Sequence, residues 1–334
     1  MADVKIGLIG LGRWGELELS AFSTFPYVDV VAVCSRSEKR CREICKRYRI
    51  KKFYLEFNEI VKDPEIQAIV VSTEPERHIE PTLAALEAGK NVLTEKPLAL
   101  NLKDIDRIIQ KVKERKDTIF MVGHTLHFDL RYEMLKERIK KKELGKVVSI
   151  YSRRNVAKDT FERHARYNPM LETGVHEIDL ARWYMEDEVK KVYAKKINVL
   201  NPKIPDTYWV VLTFSGGKIA VIETSWLIPR GSPLWISSTV EVIGTKGIAY
   251  IDSPGDSISI WDEQKTEYPD VFLWPTVDEH TLGALRRMLE YFSLCVLKKE
   301  PQTKISPNDA RESIRIALAA IESAQKEKEI SLQD

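Results

Sequence analysis

Three groups of residues in this 334-residue chain have the types and spacing that chemistry requires. The first is Gly10-Leu11-Gly12-Arg13-Trp14-Gly15, a G-x-G-x-x-G loop between a short β-branched run and a helix-like stretch. In that context Gly10 permits a tight turn, Gly12 lets the backbone approach a pyrophosphate, and Gly15 lets the helix pack close to the strand. The helix start then offers unpaired N–H groups and a positive dipole end, with Arg13 and Trp14 beside the bound group. The second is Glu95-Lys96-Pro97, at the carboxyl end of a strand, where open α/β sheets place ligands. Pro97 steers Lys96 away from helical geometry, and a lysine in a partly dry cleft can stabilise a developing alkoxide. The third is Glu172, His176 and Asp179, which share one face of a helix if residues 172–183 are helical. His176 suits proton exchange near neutral pH, and either carboxylate could orient it or grip a neighbouring hydroxyl.

The tip of the second strand normally separates NAD from NADP, because a carboxylate there accepts from the 2′-hydroxyl. This chain has Cys34-Ser35-Arg36-Ser37 instead, with Arg40 close behind. Ser35, Arg36 and Arg40 can donate to a 2′-phosphate, so NADP is favoured over NAD. An Arg36 stacked on adenine would be compatible with either cofactor.

These residues need elements to position them. Over residues 4–122, short apolar runs alternate with amphipathic helical stretches, which predicts βαβ units and a parallel sheet covered on both faces. Beyond Gly123 the pattern changes. Residues 129–142 read as a helix ending in Arg138-Ile139-Lys140-Lys141-Lys142, and a strand starts at Val147–Tyr151. Val189–Val199, Tyr208–Phe214, Lys218–Trp226, Thr239–Ile243, Gly247–Ile251 and Ser257–Trp261 alternate apolar and polar residues, which predicts antiparallel strands with one wet face. Helices over 279–297 and 308–327 close the chain. The expected fold is α/β: a Rossmann dinucleotide-binding domain over 1–123, and an α+β domain with a large, mostly antiparallel open sheet over 124–305. A C-terminal helix over 306–334 is expected to pack back toward the N-terminal domain.

Composition narrows the partners. Hydrophobic residues are 43% of the chain, charged residues 31%, and the formal net charge is +2. Interleaved charges of both signs argue against nucleic acid as a partner. No apolar stretch approaches the roughly 20 residues that span a bilayer, so no membrane association is expected. Cys34, Cys41, Cys45 and Cys295 form no C-x-x-C pair and no zinc-type cluster with histidine. They predict reduced thiols, a cytoplasmic location and no metal.

The glycine loop, Glu95-Lys96-Pro97 and the His176 segment, in that order and spacing, resemble the glucose–fructose oxidoreductase / inositol dehydrogenase / MocA family over nearly the whole chain. Ser72-Thr73 with His78, and Gly123-His124 with Phe128-Asp129, add to the resemblance. It implies hydride transfer between a nicotinamide and a secondary alcohol of a sugar or cyclic polyol. It implies that Lys96 binds the reacting hydroxyl, that His176 is the general acid/base, and that Ser72, Thr73, His78 and Glu95 border the cofactor. His127, Asn155, Glu172 and Asp179 would then contact substrate. The open sheet would mediate a homodimer or homotetramer. Two departures stand out: Glu172 occupies a position where the family often has Asp, and Glu74-Pro75 follows Thr73 where many members continue Pro-Asn. The alternatives are a reductase of sugar nucleotides, dihydrodiols or tetrapyrroles, and a non-catalytic dinucleotide-binding regulator.

Overall fold

The computed structural model describes residues 4–253, 258–261, 264 and 266–332. They divide into two compact units: Met1–Asp129 with Phe272–Arg311, and Leu130–Val271 with Glu312–Asp334.

In the first unit, β1 (Val4–Ile9), α1 (Arg13–Phe22), β2 (Val28–Cys34), α2 (Glu38–Tyr48), β3 (Lys52–Tyr54) and α3 (Phe57–Ile60) form one half of a doubly wound layer. Strand β4 (Ala68–Val71), α4 (Ile79–Glu87), β5 (Asn91–Glu95), α5 (Leu102–Glu114) and β6 (Phe120–Gly123) form the other. The strands lie in the order β3-β2-β1-β4-β5-β6, and every pairing is parallel. That order places the topological switch point between β1 and β4, beside the glycine loop. Ile6, Leu8, Val70, Val71, Val92, Leu93, Met121 and Val122 are fully buried, as expected for strands covered on both faces. Asn101 caps α5 by accepting from Asp104 N at 3.0 Å, and Ile105, Ile108 and Ile109 form the buried face of that helix.

In the second unit, α6 (Leu130–Lys140) precedes β7 (Val147–Ala157), and α7 (Asp159–His164) leads to α8 (Val175–Met185). Strands β8 (Val189–Ile197), β9 (Thr207–Phe214), β10 (Ile219–Ile228), β11 (Ile236–Gly244) and β12 (Ile248–Ser253) follow. With Ile330–Ser331 at one edge they make a seven-stranded sheet, ordered β12-β11-β7-β10-β9-β8 and then Ile330–Ser331.

This sheet corrects the expected topology, because it is mixed. Strands β7 and β10 run parallel at its centre, while the other neighbours are antiparallel. Hairpin signals describe only strands adjacent in sequence, and β7 meets β10 across two intervening strands. The expected strand Ser257–Trp261 is shortened to Ile260–Trp261, which pairs with Thr266–Glu267; Ser257 lies outside the described residues.

The unit boundaries also differ from the expected domains. Helix Gly283–Lys298 belongs to the first unit, where it packs on α1 through buried Leu285, Met288, Leu289 and Phe292. The long helix Pro307–Lys326 is divided at Arg311–Glu312. Arg311 bonds Asp106 of α5 at 2.6 Å in the first unit. Beyond it, Ser323 accepts from Ala194 N of β8 at 2.9 Å in the second. The C-terminal segment therefore ends as an edge of the second unit's sheet.

Candidate functional site

The glycine loop meets its three requirements by different means. Gly10 has φ of +107°, and a Cβ there would lie 2.5 Å from the Ser72 carbonyl. A Cβ on Gly15 would lie 2.0 Å from Gly10 O, so only glycine lets α1 start so close to β1. A Cβ on Gly12 would meet nothing within 4 Å, which leaves its backbone open on the side where a phosphate must approach. Gly12 is also the N-cap of α1, and no described side chain caps that helix. Uncapped N–H groups at a bare helix start fit a dinucleotide pyrophosphate.

At the tip of β2, Ser35 is half-buried and Arg36 is exposed. Arg40 is already engaged: its Nε donates to Leu11 O at 3.0 Å and its Nη2 bonds Glu16 at 2.5 Å. It braces the back of the glycine loop. Burial pushes the Cys34 thiol up to about 12, reinforced by Cys41, so this thiol stays protonated. Trp14 packs edge-on against Trp274 with ring centroids 5.0 Å apart.

Beyond β4, the Ser72 hydroxyl donates to Glu18, a fully buried carboxyl on α1. His78 is buried, with Nδ1 at 2.8 Å from Pro97 O and Nε2 at 3.0 Å from Thr73 O. Thr73 Oγ1 donates to Arg77 O at 3.0 Å. His78 therefore ties the Thr73 turn to the Lys96-Pro97 turn, whose peptide bond is cis.

Glu95 ends β5 and is buried; its Oε2 accepts from Lys96 N at 3.2 Å. A Cβ on Gly123 would lie 2.5 Å from Glu95 Oε1, so the glycine makes room for that carboxyl. Burial pushes Glu95 up to about 7 against the opposing pull of the Trp14 indole, Lys96 and His124. Burial raises Glu18 strongly as well, reinforced by repulsion from Glu95 and moderated by Ser72. Lys96 is half-buried. His127 is buried in the turn Thr125–Phe128, its ring 6.3 Å from that of His124.

In the second unit the expected helix over 172–183 begins differently. Met170–Gly174 forms a π-helical turn, and regular α8 starts only at Val175. The π-turn departs from the regular i, i+4 geometry expected for Glu172 and His176; such insertions recur at functional sites. The turn is pinned by the buried Trp226 indole, which donates to Thr173 Oγ1 at 2.8 Å, and by Asn168, whose Oδ1 accepts from Met170 N at 2.9 Å. Glu172 and His176 are half-buried, and Asp179 is buried one turn further on.

Helix α8 is clamped to the inner face of the sheet by Glu177. This carboxyl bonds Arg154 Nε at 2.5 Å and accepts from Ser152, both on β7. Burial pushes Glu177 up while Arg154 pulls it back down. Burial opposes the charge on Arg154, but Glu177 and Tyr132 more than offset this and raise it.

Asn155 does not join this group. It alternates with Arg154 along β7, so it lies on the opposite sheet face, where its Nδ2 bonds Glu223 at 2.8 Å. That face also carries Tyr151, which bonds Glu223 at 2.7 Å and stacks on Trp209. Sequence reasoning missed Glu18, Arg154 and Glu177. For the two glutamates the available signal was a charged residue on an otherwise apolar helix face, Glu18 among Trp14, Gly15, Ala21 and Phe22 and Glu177 among Gly174, Leu180 and Ala181.

A 3-2-1-4-5-6 parallel sheet with a bare glycine-loop helix start defines a dinucleotide-binding protein, here joined to a mixed-sheet unit carrying a histidine helix. Residues 4–124 match the model of the oxidoreductase family with an NAD-binding Rossmann fold, and residues 132–250 match the Gfo/Idh/MocA C-terminal domain. The chain belongs to the Gfo/Idh/MocA oxidoreductase family. It is 28% identical to a myo-inositol 2-dehydrogenase of Thermotoga maritima, covering 99% of each chain. Two solved structures share the fold. A myo-inositol 2-dehydrogenase from Lactobacillus plantarum has a TM-score of 0.87 at 21% identity, over 99% of this chain and 100% of that one. A scyllo-inositol dehydrogenase from Lactobacillus casei with bound NAD(H) and scyllo-inositol has 0.85 at 21%, over 98% and 99%. Among the described residues no helix is long and apolar enough to cross a membrane, and no cluster of His, Cys, Asp and Glu could hold a metal ion.

Proposed function

We propose that this chain oxidises a secondary alcohol of a cyclic polyol or sugar, or reduces the matching ketone, with NAD(P) as hydride partner. The observation that carries the reading is Lys96, held at the carboxyl edge of the parallel sheet by buried Glu95 and by the His78 bridge. The relatives named as inositol dehydrogenases support the substrate class. The dinucleotide supplies the hydride acceptor or donor. Lys96 donates to the reacting oxygen and stabilises its partial negative charge. His176 takes the hydroxyl proton on oxidation and returns it on reduction. Glu172 and Asp179 grip neighbouring hydroxyls and orient His176; His127 contacts substrate. Ser72, Thr73, Arg13 and Trp14 border the cofactor.

We infer a preference for NADP from Ser35 and Arg36 at the β2 tip. Arg40 contributes less than its position in the sequence promised, because Leu11 and Glu16 already hold it. We also infer a homodimer or homotetramer formed through the outer face of the seven-stranded sheet, where Trp209, Val211, Ile219 and Tyr250 are exposed.

The test is a turnover screen of inositols, sugars and their ketones with both cofactors. Lys96→Ala should reduce turnover by about three orders of magnitude or more while dinucleotide still binds. Near-normal turnover in that variant overturns the role of Lys96. A panel that yields no dinucleotide reduction or oxidation overturns the substrate class.

A further inference from the structure

Helix α8 buries Ile178, Ala181 and Met185, but apolar burial is non-directional and specifies the setting of a helix less sharply than paired polar groups do. The Glu177 carboxylate adds direction. Its two oxygens take different partners on β7: Oε1 accepts from Arg154 Nε at 2.5 Å, and Oε2 accepts from the Ser152 hydroxyl. Ser152 and Arg154 stand two residues apart on the inner face of that strand, so the carboxylate spans one side-chain repeat along it. Arg154 carries the link further. Its Nη2 donates to Tyr132 Oη of α6 at 3.4 Å, and Tyr132 O accepts from Tyr184 Oη at 3.0 Å. Tyr184 is again on α8, so the path closes on itself through β7 and α6. Ser152, Arg154, Glu177, Tyr132 and Tyr184 are all buried.

His176 immediately precedes Glu177, and Thr173 lies three residues before the histidine. Thr173 is held by the Trp226 indole of β10 at 2.8 Å. The histidine is thus bracketed by anchors on β10 and β7, which are neighbouring strands. A buried ion pair is a poor device for stability, because desolvation offsets much of its attraction, and packed apolar side chains of similar volume do as well or better. What it supplies is direction. Consecutive helix residues project about 100° apart, so fixing Glu177 fixes the bearing of His176. A rotation of α8 by roughly 20° would carry a side-chain tip about 5 Å from the helix axis through about 2 Å. Misplacement by about 1 Å at a reacting centre can cost on the order of a hundredfold in rate. We infer that Ser152, Arg154 and Glu177 are positioning residues: their closed polar circuit sets the rotation of α8 and so aims His176. The link to turnover rests on the dehydrogenase reading, but the aim of the ring does not.

The test removes the circuit without leaving a charge behind. In the full chain, Ser152→Ala, Arg154→Met and Glu177→Met are combined. Apolar replacement should leave the thermal midpoint within about 5 °C of the native chain. Dinucleotide affinity should be unchanged, because the glycine loop belongs to the other unit. The kcat for an active polyol should fall by at least about tenfold. The NMR signal of the His176 ring, assigned by its loss in His176→Gln, should move, while those of His78, His124, His127 and His280 in the first unit stay in place. A folded triple variant with kcat within about twofold of native, or with an unmoved His176 signal, overturns the inference. Should the triple variant not fold, Ser152→Ala decides by itself. It deletes one of the two carboxylate contacts, and the His176 signal should again move; an unmoved signal overturns the inference. A native chain that turns over no polyol sinks the dehydrogenase reading alone, and the NMR comparison still decides whether the circuit aims His176.

Discussion

Each unit buries a carboxyl next to a residue expected to act in the reaction, and the two solve the cost differently. Glu177 precedes the buried turn of α8 that carries Asp179 and follows His176; it is met by the Arg154 guanidinium and the Ser152 hydroxyl. Glu18 and Glu95 are met instead by the Ser72 hydroxyl and by Lys96 N, and burial pushes both carboxyls up, Glu95 to about 7. A guanidinium cannot be titrated away in the physiological range, so the Glu177 clamp is permanent. Glu95, pushed up to about 7 by burial, changes its charge with pH in that range. One arrangement fixes a helix; the other leaves a charge that can change.

The largest effect should come from breaking the permanent clamp. Arg154→Ala leaves Glu177 buried and unpaired, which should cost about 3–5 kcal/mol in chemical denaturation. A loss under about 1 kcal/mol would mean that the pair contributes little to holding α8 on the sheet.

A second, smaller effect distinguishes the buried Glu95. The Glu95 carboxyl is raised from its ordinary 4.5 to about 7. Between those values the folded chain holds a proton that the unfolded chain has released, so stability from this group falls as pH rises from about 4.5 to 7 and is level above. Glu95→Gln carries no charge and escapes that loss. Its stability relative to the native chain should therefore rise between pH 5 and pH 8, by on the order of 2 kcal/mol, in paired unfolding curves. A pH-independent difference would contradict the comparison. By contrast, a neutral residue in place of Glu177 should be destabilising at both pH values, because Arg154 stays charged.

The smallest effect concerns the π-turn. Thr173→Val removes the acceptor of the buried Trp226 indole and should cost about 1–2 kcal/mol. If the turn sets Glu172 and His176, turnover in that variant should fall by more than its stability loss accounts for at a temperature where it remains folded. Unchanged turnover would show that Asn168 alone is enough to hold the turn.

Much of the first unit was legible in the sequence because its constraints are local. The three glycines are dictated by backbone contacts at Ser72 and Gly10 and by the open side of Gly12, and alternating apolar runs specify a covered parallel sheet. The second unit was less legible because its constraints are long-range. Nothing near β7 announces that its parallel neighbour lies beyond two later strands. Asn155 and Arg154 are adjacent in sequence and face opposite sides of the sheet, and a one-residue difference decides which belongs with α8. The π-turn has no composition of its own; it depends on Trp226 and Asn168 anchoring Met170–Gly174. Arg40 looked like a phosphate ligand by position, but the structure gives it Glu16 and Leu11 as partners.

The path of the chain has a practical consequence for engineering. It changes unit at Asp129–Leu130, at Val271–Phe272 and again inside the helix Pro307–Lys326. A graft intended to exchange coenzyme preference must therefore carry two separate stretches of sequence, one of them containing helix Gly283–Lys298. A truncation after Asp129 would strip that helix from α1 and leave the nucleotide fold with a bare apolar flank, a recipe for inclusion bodies rather than for a minimal module.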